Sequence, residues 1–348
     1  MSDAVGDVLS DGPPPVSDAE AVRIIRRHWG ISAHVEPLVS ERDHNFRVQA
    51  EGFRESVLKI AHPAEPRSVT NFQTAALRHI ALVDPTLAVP AVIPSLGGAE
   101  ELDLEVGDGP RRVVRLLTFL PGTLLKDAPR SATQDVRLGA FLARLNRALR
   151  GFFHPAAGGD GLLWDLRQIP AVRDRTSLIG DPSRRHLAER VMDEAAAELL
   201  PRLPAFRAQV VHNDFNLSNV VVDEDPDVIA GALDFGDMLH APLICDIATA
   251  AAYRWTPGEH PLEGVARFAR GFDSVTQLED EEIENLFILV GCRLALTLVL
   301  SNWQAIRFPE KIDYVLRGNE DLWSFLDSIA GISNAQATRM FRAALERR

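Results

Sequence analysis

The chain has 348 residues, of which 46% are apolar and 25% charged, and a formal net charge of −12. That length and balance describe a folded body of two units or two lobes, and exclude collagen, coiled coil and wholesale disorder. The acidic excess excludes a nucleic-acid partner read through a basic face and suits a small-molecule partner that carries positive charge.

Residues 1–16, acidic and rich in Pro and Gly, read as a disordered tail, without the basic and apolar regions of a signal peptide. Ser17-Asp18-Ala19-Glu20 predicts a capping box opening a helix that ends at Gly30. Strand-like segments follow at 34–39, 46–50 and 56–61, the last two joined by a hairpin at 51–54. Pro66 starts a helix through Val69, Phe72, Ala76, Leu77 and Ile80. Residues 88–93, 102–106 and 112–119 read as further strands. Pro121-Gly122 then breaks the pattern. Beyond it helices are expected at about 131–150, 183–200, 243–254, 261–272, 279–307 and 321–346, around a β island at 209–235. The fold class is α+β: a small β-rich N-lobe over 17–118, then a hinge and a larger helical C-lobe over 119–348.

Cys245 and Cys292 both sit in apolar surroundings, as buried free thiols of a reducing compartment do. No apolar run reaches the roughly 18 residues of a membrane span; the longest candidate, 286–300, is interrupted by Arg293. A cytoplasmic protein without a membrane partner is expected. No phosphate loop of the Walker type, no dinucleotide fingerprint, no H-E-x-x-H, no C-x-x-C and no G-x-S-x-G occurs. The acidic run at 223–227 lacks a calcium loop's glycine and closing Glu, and reads as a solvated turn between two strands.

The informative segment is VVHNDFNLSNVVVDEDPDVIAGALDFGD, residues 210–237. A short apolar strand leads into His212 and Asp214; Asn219 follows five residues later. A second strand ends in Asp234-Phe235-Gly236-Asp237. A loop held between strands presents Asp214 and Asn219 on one side, and an antiparallel partner brings Asp234 to the same end. Asn219 and Asp234 are hard oxygen ligands able to hold Mg²⁺ against phosphate oxygens. Asp214, beside that metal, can accept a hydroxyl proton. A base Asp, an Asn five residues on and a D-F-G Asp are the parts of kinase phosphoryl transfer.

HNDFNLSN and LDFGD resemble the aminoglycoside phosphotransferase and choline kinase branch of the protein-kinase-like fold. SERDHNFRV, TFLPG, FHPAAGGDGLLWDL and PLICDIATAAAY are similar to the hydroxylysine kinase group. The likeness runs from about residue 17 to the C-terminus. It implies Asp214 as catalytic base, Asn219 and Asp234 as Mg²⁺ ligands, and His212 as a brace of the loop paired with Asp246. It implies that Lys59, in VLKI, contacts the nucleotide phosphates; only three lysines exist in the chain. The loop Ser40-Glu41-Arg42-Asp43-His44-Asn45 has no glycine, so side chains such as Ser40 and Asn45 are expected to cover the nucleotide. The helix that should give Lys59 a Glu offers Gln73 at that place, with Glu65 as the alternative. The hinge, Thr118-Phe119-Leu120-Pro121-Gly122, is expected to offer backbone groups to the base, and ATP or GTP both remain open.

The acceptor is expected on the helical lobe, near Asp237, Tyr253, Trp255, Glu259 and Trp303, since carboxylates beside aromatic faces suit an ammonium group. Arg293, alone in an apolar helical run, either pairs with a carboxylate of the protein or binds the carboxylate of an amino-acid acceptor. Trp164-Asp165 either closes one side of the cleft or is structural. The expected activity is transfer of the γ-phosphoryl of ATP or GTP to an amine-bearing acceptor such as hydroxylysine. Homoserine, choline or an aminoglycoside are the rival acceptors, and a nucleotide-binding module without turnover is the rival of another class.

Overall fold

The computed structural model describes residues 15–40, 42–107, 109–159 and 161–346, the side chains of Lys311 and Tyr314 excepted. Most of the tail expected over 1–16 lies outside the described residues, as do Glu41, Asp108 and Asp160. The first helix, α1 (Asp18–Trp29), begins where its cap predicts. The Ser17 hydroxyl accepts the Glu20 N–H, and Gly30 closes the helix in the left-handed region. Five strands follow: β1 (His34–Leu38), β2 (His44–Ala50), β3 (Phe53–Ile60), β4 (Leu102–Glu105) and β5 (Arg111–Thr118). They form one antiparallel sheet in the order β1-β2-β3-β5-β4. Phe46, Val48, Leu58, Ile60, Val114 and Leu116 share a small core with Ile24 and Ile25 of α1.

Residues 88–93 are not the strand expected of them. They make one isolated bridge, Val92 to Leu117. Pro90 and Pro94 remove two ladder donors there. The stretch instead touches both halves: Ile93 N–H donates to Leu116, while Ala88 C=O accepts from Ala232. The helix α2 (Arg67–Val83) also faces two ways. It lies within the β-rich part of the chain, but Phe72, Ala76, Leu77 and Ile80 belong to the large core of the helical half. Phe72 stacks on Phe152, 6.0 Å away.

At the crossing, Gly122 adopts φ 140°, and a Cβ there would lie 2.5 Å from the Val222 carbonyl oxygen. The space admits only glycine. Beyond it come β6 (Thr123–Leu124), β7 (Ala208–Val211), β8 (Val220–Val222), β9 (Ile229–Ala232) and β10 (Leu239–Pro242). β8 sits between β6 and β9, and β10 pairs with β7. β10 lies past the expected end of the β island. The longer helices are α3 (Ala132–Leu149), α4 (Pro182–Glu198), α5 (Leu243–Ala251), α6 (Glu263–Asp273), α7 (Asp280–Arg307), α8 (Asn319–Ile329) and α9 (Asn334–Ala344). α3 and α6 cross with their backbones in contact. A Cβ on Gly139 would lie 2.0 Å from Phe268 O, and one on Gly271 would lie 1.9 Å from Val136 O.

The single helix expected over 321–346 is two. Gly331 follows the end of the first, and Ser333 with Gln336 forms a reciprocal capping box that starts the second. α7 corrects a second expectation. By length and composition it is long and apolar enough to cross a membrane, its most apolar window having mean hydropathy 1.9, despite Arg293. In the fold 78% of that window is buried, in the core of the C-terminal lobe. Cys245 and Cys292 are free and buried in the same core, and burial pushes both thiols up.

Candidate functional site

The site forms where the loops after β7 and β9 meet the sheet. His212 is fully buried against the edges of Phe215 and Phe235. Its Nδ1 accepts the Asp214 N–H at 3.3 Å, which makes Nε2 the donor to the Leu233 carbonyl at 2.9 Å. Both ring nitrogens are thereby used within the loop, so His212 meets Asp246 through its backbone N–H and not through the ring pairing expected of it. Asp246, at the start of α5, accepts the Asn213 N–H at 2.7 Å and the Asn146 amide at 3.0 Å. That bond holds Asn213 in the left-handed region at φ 62°. Burial raises the Asp246 carboxyl, while His212, Asn146 and Asn213 pull it back.

Asp214 is held from three sides. Its Oδ1 accepts from Asn216 at 2.8 Å and from Arg293 at 3.2 Å, and its Oδ2 accepts from Asn219 at 2.6 Å. Burial, then repulsion from Asp237, pushes its carboxyl up to about 7, against Arg293 and Asn216. A base poised there exchanges protons readily near neutral pH. The Asn219 nitrogen also donates to the Asp214 carbonyl at 2.9 Å, which leaves its amide oxygen for a cation. Asp234, at φ 49°, turns the chain and accepts the Gly236 N–H. Its side chain is 56% exposed. Desolvation in the cleft raises this carboxyl, but Lys59 and Arg42 outweigh it and hold the group below the ordinary range. Among the described residues no three His, Cys, Asp or Glu are grouped to hold a metal. One amide oxygen and one carboxylate are a sparse set, of the kind that suits Mg²⁺ completed by phosphate oxygens.

Lys59 lies on β3 opposite Asn45 of β2. Its ammonium is 3.5 Å from Asp43 and 3.9 Å from Asp234. Gln73 is not its partner. The buried guanidinium of Arg115, opposite Lys59 on β5, reaches α2 and takes the Gln73 oxygen at 2.7 Å, with Thr70 O at 3.2 Å. A buried cation must be supplied with acceptors, so Gln73 serves Arg115. Glu65 makes no ion pair with Lys59 either, and burial raises its carboxyl. Asp43, a residue of the covering loop, is the anion that Lys59 meets. In that loop Ser40 accepts the Asp43 N–H, and Asn45 keeps a buried oxygen with no hydrogen-bond partner. At the hinge the Phe119 N–H is committed to Glu55 O at 3.0 Å, and Arg47 covers its ring at 4.5 Å. Phe119 therefore has no N–H to give a base.

The expected acceptor residues separate. Arg42 binds Asp237 at 2.5 Å, across the cleft from the loop between β1 and β2. Of the two partners open to Arg293, the structure supplies the protein carboxylate: it grips Asp214, donates to Trp164 O at 3.1 Å and lies over the Trp164 ring. The Tyr253 hydroxyl approaches the same guanidinium at 3.4 Å. Trp164 is thus structural support for Arg293. Trp255 stacks on Phe325 in the C-lobe, and Glu259 lies on an exposed turn. Among the described residues no hydrogen bond or ion pair ties either to Asp214 or Asp237. Trp303 is flanked by Arg175 and Arg307. Sequence reasoning gave no role to Arg42, Asp43 or Asn216. The signal available was a covering loop with charges in place of glycine.

The profile of the phosphotransferase enzyme family APH matches residues 34–279. A hydroxylysine kinase of Danio rerio is 30% identical over 318 residues, covering 88% of this chain and 89% of its own. A hydroxylysine kinase of Mus musculus is 25% identical over 339 residues, covering 91% and 90%. Among solved structures, a microcompartment-associated aminopropanol kinase superposes with TM-score 0.65 at 18% identity, covering 95% of this chain and 99% of its own. An amicoumacin kinase in complex with AMP-PNP and Ca²⁺ gives TM-score 0.63 at 15% identity, over 92% and 96%. These last two likenesses carry the fold, which is the two-lobed protein-kinase-like one. The chain belongs to the APH phosphotransferase enzyme family, as a small-molecule kinase acting on a hydroxyl group.

Proposed function

We infer that the protein transfers the γ-phosphoryl of ATP or GTP, with Mg²⁺, to the hydroxyl of a small amine-bearing acceptor, hydroxylysine leading. The carrying observation is the posture of Asp214. It is fixed by Asn219 and Arg293, beside an Asp234 that Lys59 approaches at 3.9 Å. In the reaction the acceptor oxygen forms its bond to the γ-phosphorus as the bond to the β–γ bridging oxygen breaks. The hydroxyl proton passes to Asp214, and nucleoside diphosphate leaves. Lys59 neutralises phosphate charge, and Asn219 orients the base as well as offering its oxygen. Asn219 and Asp234 would hold Mg²⁺, which would supply neutralisation of phosphate charge. The amicoumacin kinase complex with AMP-PNP and Ca²⁺ supports nucleotide and divalent-metal use, and the curated relatives' names support hydroxylysine. Two free buried cysteines fit a reducing cytoplasm.

The test is radiolabel transfer from ATP and from GTP across hydroxylysine, homoserine, choline, ethanolamine and an aminoglycoside. The expected result is the highest kcat/KM with hydroxylysine, and a KM several-fold higher once its distal amine is acetylated. Equal kinetics for free and acetylated acceptor at low ionic strength would remove the ammonium from the reading. A better rate with homoserine or choline would replace the acceptor and keep the chemistry.

A further inference from the structure

The geometry of phosphoryl transfer leaves one ion pair without a task. Arg42 comes from the sheet side of the cleft and Asp237 from the helical side, 195 residues away in sequence. Both are largely withdrawn from water, with side chains 23% and 10% exposed. Such a pair resists loss of one partner unless another charge takes its place. Two replacements are at hand. Arg42 also feels Asp234, the residue beside which the phosphates would lie. Asp237 also feels Asp214, the base to which the acceptor hydroxyl must come. The covering loop has no glycine to let backbone approach a phosphate closely, and its Asp43 N–H is already given to Ser40, so side chains are the donors at hand. A guanidinium is the donor best matched to phosphoryl oxygens, which it meets in a two-pronged fork.

We propose that Arg42 exchanges partners during the cycle: it leaves Asp237 for the terminal phosphoryl oxygens of bound nucleoside triphosphate, and so frees Asp237 to receive the ammonium group of the acceptor. In the nucleotide-free protein the guanidinium holds the place of the acceptor cation. With nucleotide bound it neutralises the γ-phosphoryl instead. The two substrates then strengthen one another's binding, and by linkage the strengthening is mutual. The acceptor half rests on the reading that the acceptor carries an amine; the nucleotide half does not.

The experiment is calorimetric titration of Mg²⁺ with the β,γ-imido analogue of ATP, and separately of Mg²⁺ with ADP. It is run on wild type, Arg42→Gln, Arg42→Lys, Asp237→Asn and the Arg42→Gln/Asp237→Asn double variant, each first shown to melt cooperatively. Arg42→Gln is expected to weaken the triphosphate about tenfold, the scale of one charged hydrogen bond, and the diphosphate little. Arg42→Lys falls between. Asp237→Asn tightens the triphosphate several-fold, and that gain vanishes in the double variant because no guanidinium is left to release. A gain that survives in the double variant would be plain charge repulsion and would overturn the exchange. So would equal weakening of triphosphate and diphosphate by Arg42→Gln. For the acceptor half, hydroxylysine is titrated with and without the analogue. The analogue tightens it several-fold in wild type and not at all in Arg42→Gln. If the nucleotide pattern holds but hydroxylysine binds in neither state, the acceptor reading falls and the exchange at Arg42 stands. If hydroxylysine is phosphorylated but the nucleotide pattern fails, the exchange falls and the acceptor reading stands.

Discussion

At the scale of single residues, the proposed function rests on Asp214, a carboxylate only partly withdrawn from water that must be free of its proton to act. Asp214→Asn keeps the size but cannot accept a proton, and because Asn216, Arg293 and Asn219 all donate to the carboxylate, its amide nitrogen must face one of them. Turnover is expected to fall roughly 10²–10⁴-fold with little change in nucleotide affinity. Near-normal turnover in that variant would remove Asp214 as base. The Asp214 carboxyl is raised, to about 7, so the proton-free form is lost as pH falls through that value. The profile of kcat/KM, which reports groups of the free enzyme, is therefore expected to rise with pH through about 7 and level above it. Arg293 opposes that rise, being the cation on Oδ1. Arg293→Gln is expected to move the acid limb up by about one pH unit, and Arg293→Lys by less; an unmoved limb would reduce Arg293 to packing. The triplet Asp214, Asn219 and Asp234 was legible because its spacing lies within one loop and one hairpin. The partner of Lys59 was not. Gln73 has the right position on its helix, but Arg115, which precedes the hinge by three residues, reaches it first. Only the pairing of β3 with β5 puts Arg115 there.

At the scale of elements, most of what was legible was local. The cap at Ser17 and the stop at Gly30 each need a few residues to be read, and both stand in the structure. The same kind of signal at Ser333 and Gln336 was present and passed over, which merged two helices into one. Ser333→Ala removes that cap and is expected to cost about 1 kcal/mol in chemical unfolding. Residues 88–93 were misread because their apolar character does fit a strand, while Pro90 within them and Pro94 just after cannot donate to a ladder. The crossing of α3 and α6 was not legible at all, since a glycine inside a helix gives no sign of what it faces. Gly139→Ala would push its methyl group against the Phe268 carbonyl and drive the two helices apart. A loss of roughly 1–3 kcal/mol in urea unfolding is expected, the scale of overpacking in a close-packed interior. An alanine there with unchanged stability would show that α3 and α6 have room to separate.

At the scale of the whole molecule, composition gave the class and the two halves, but their seam is not a single point in the chain. The inner face of α2 belongs to the core of the helical half, although the helix falls between β3 and β5 in sequence. The backbone therefore passes between the halves three times: after β3, between α2 and β4, and after β5. The five-stranded sheet is tethered by three connections to a base that includes α2. Hydrogen exchange is the measurement that bears on this. The amides of α2 are expected to exchange with the slow rates of α3 and α7 while those of β1 and β2 exchange faster, and α2 tracking β1 and β2 would contradict it. A fragment cut at residue 118 would carry α2 away from its packing surface and is expected not to fold. The consequence reaches beyond stability: a relative's sheet could be grafted onto this base only by replacing the chain on either side of α2 and leaving that helix with its host.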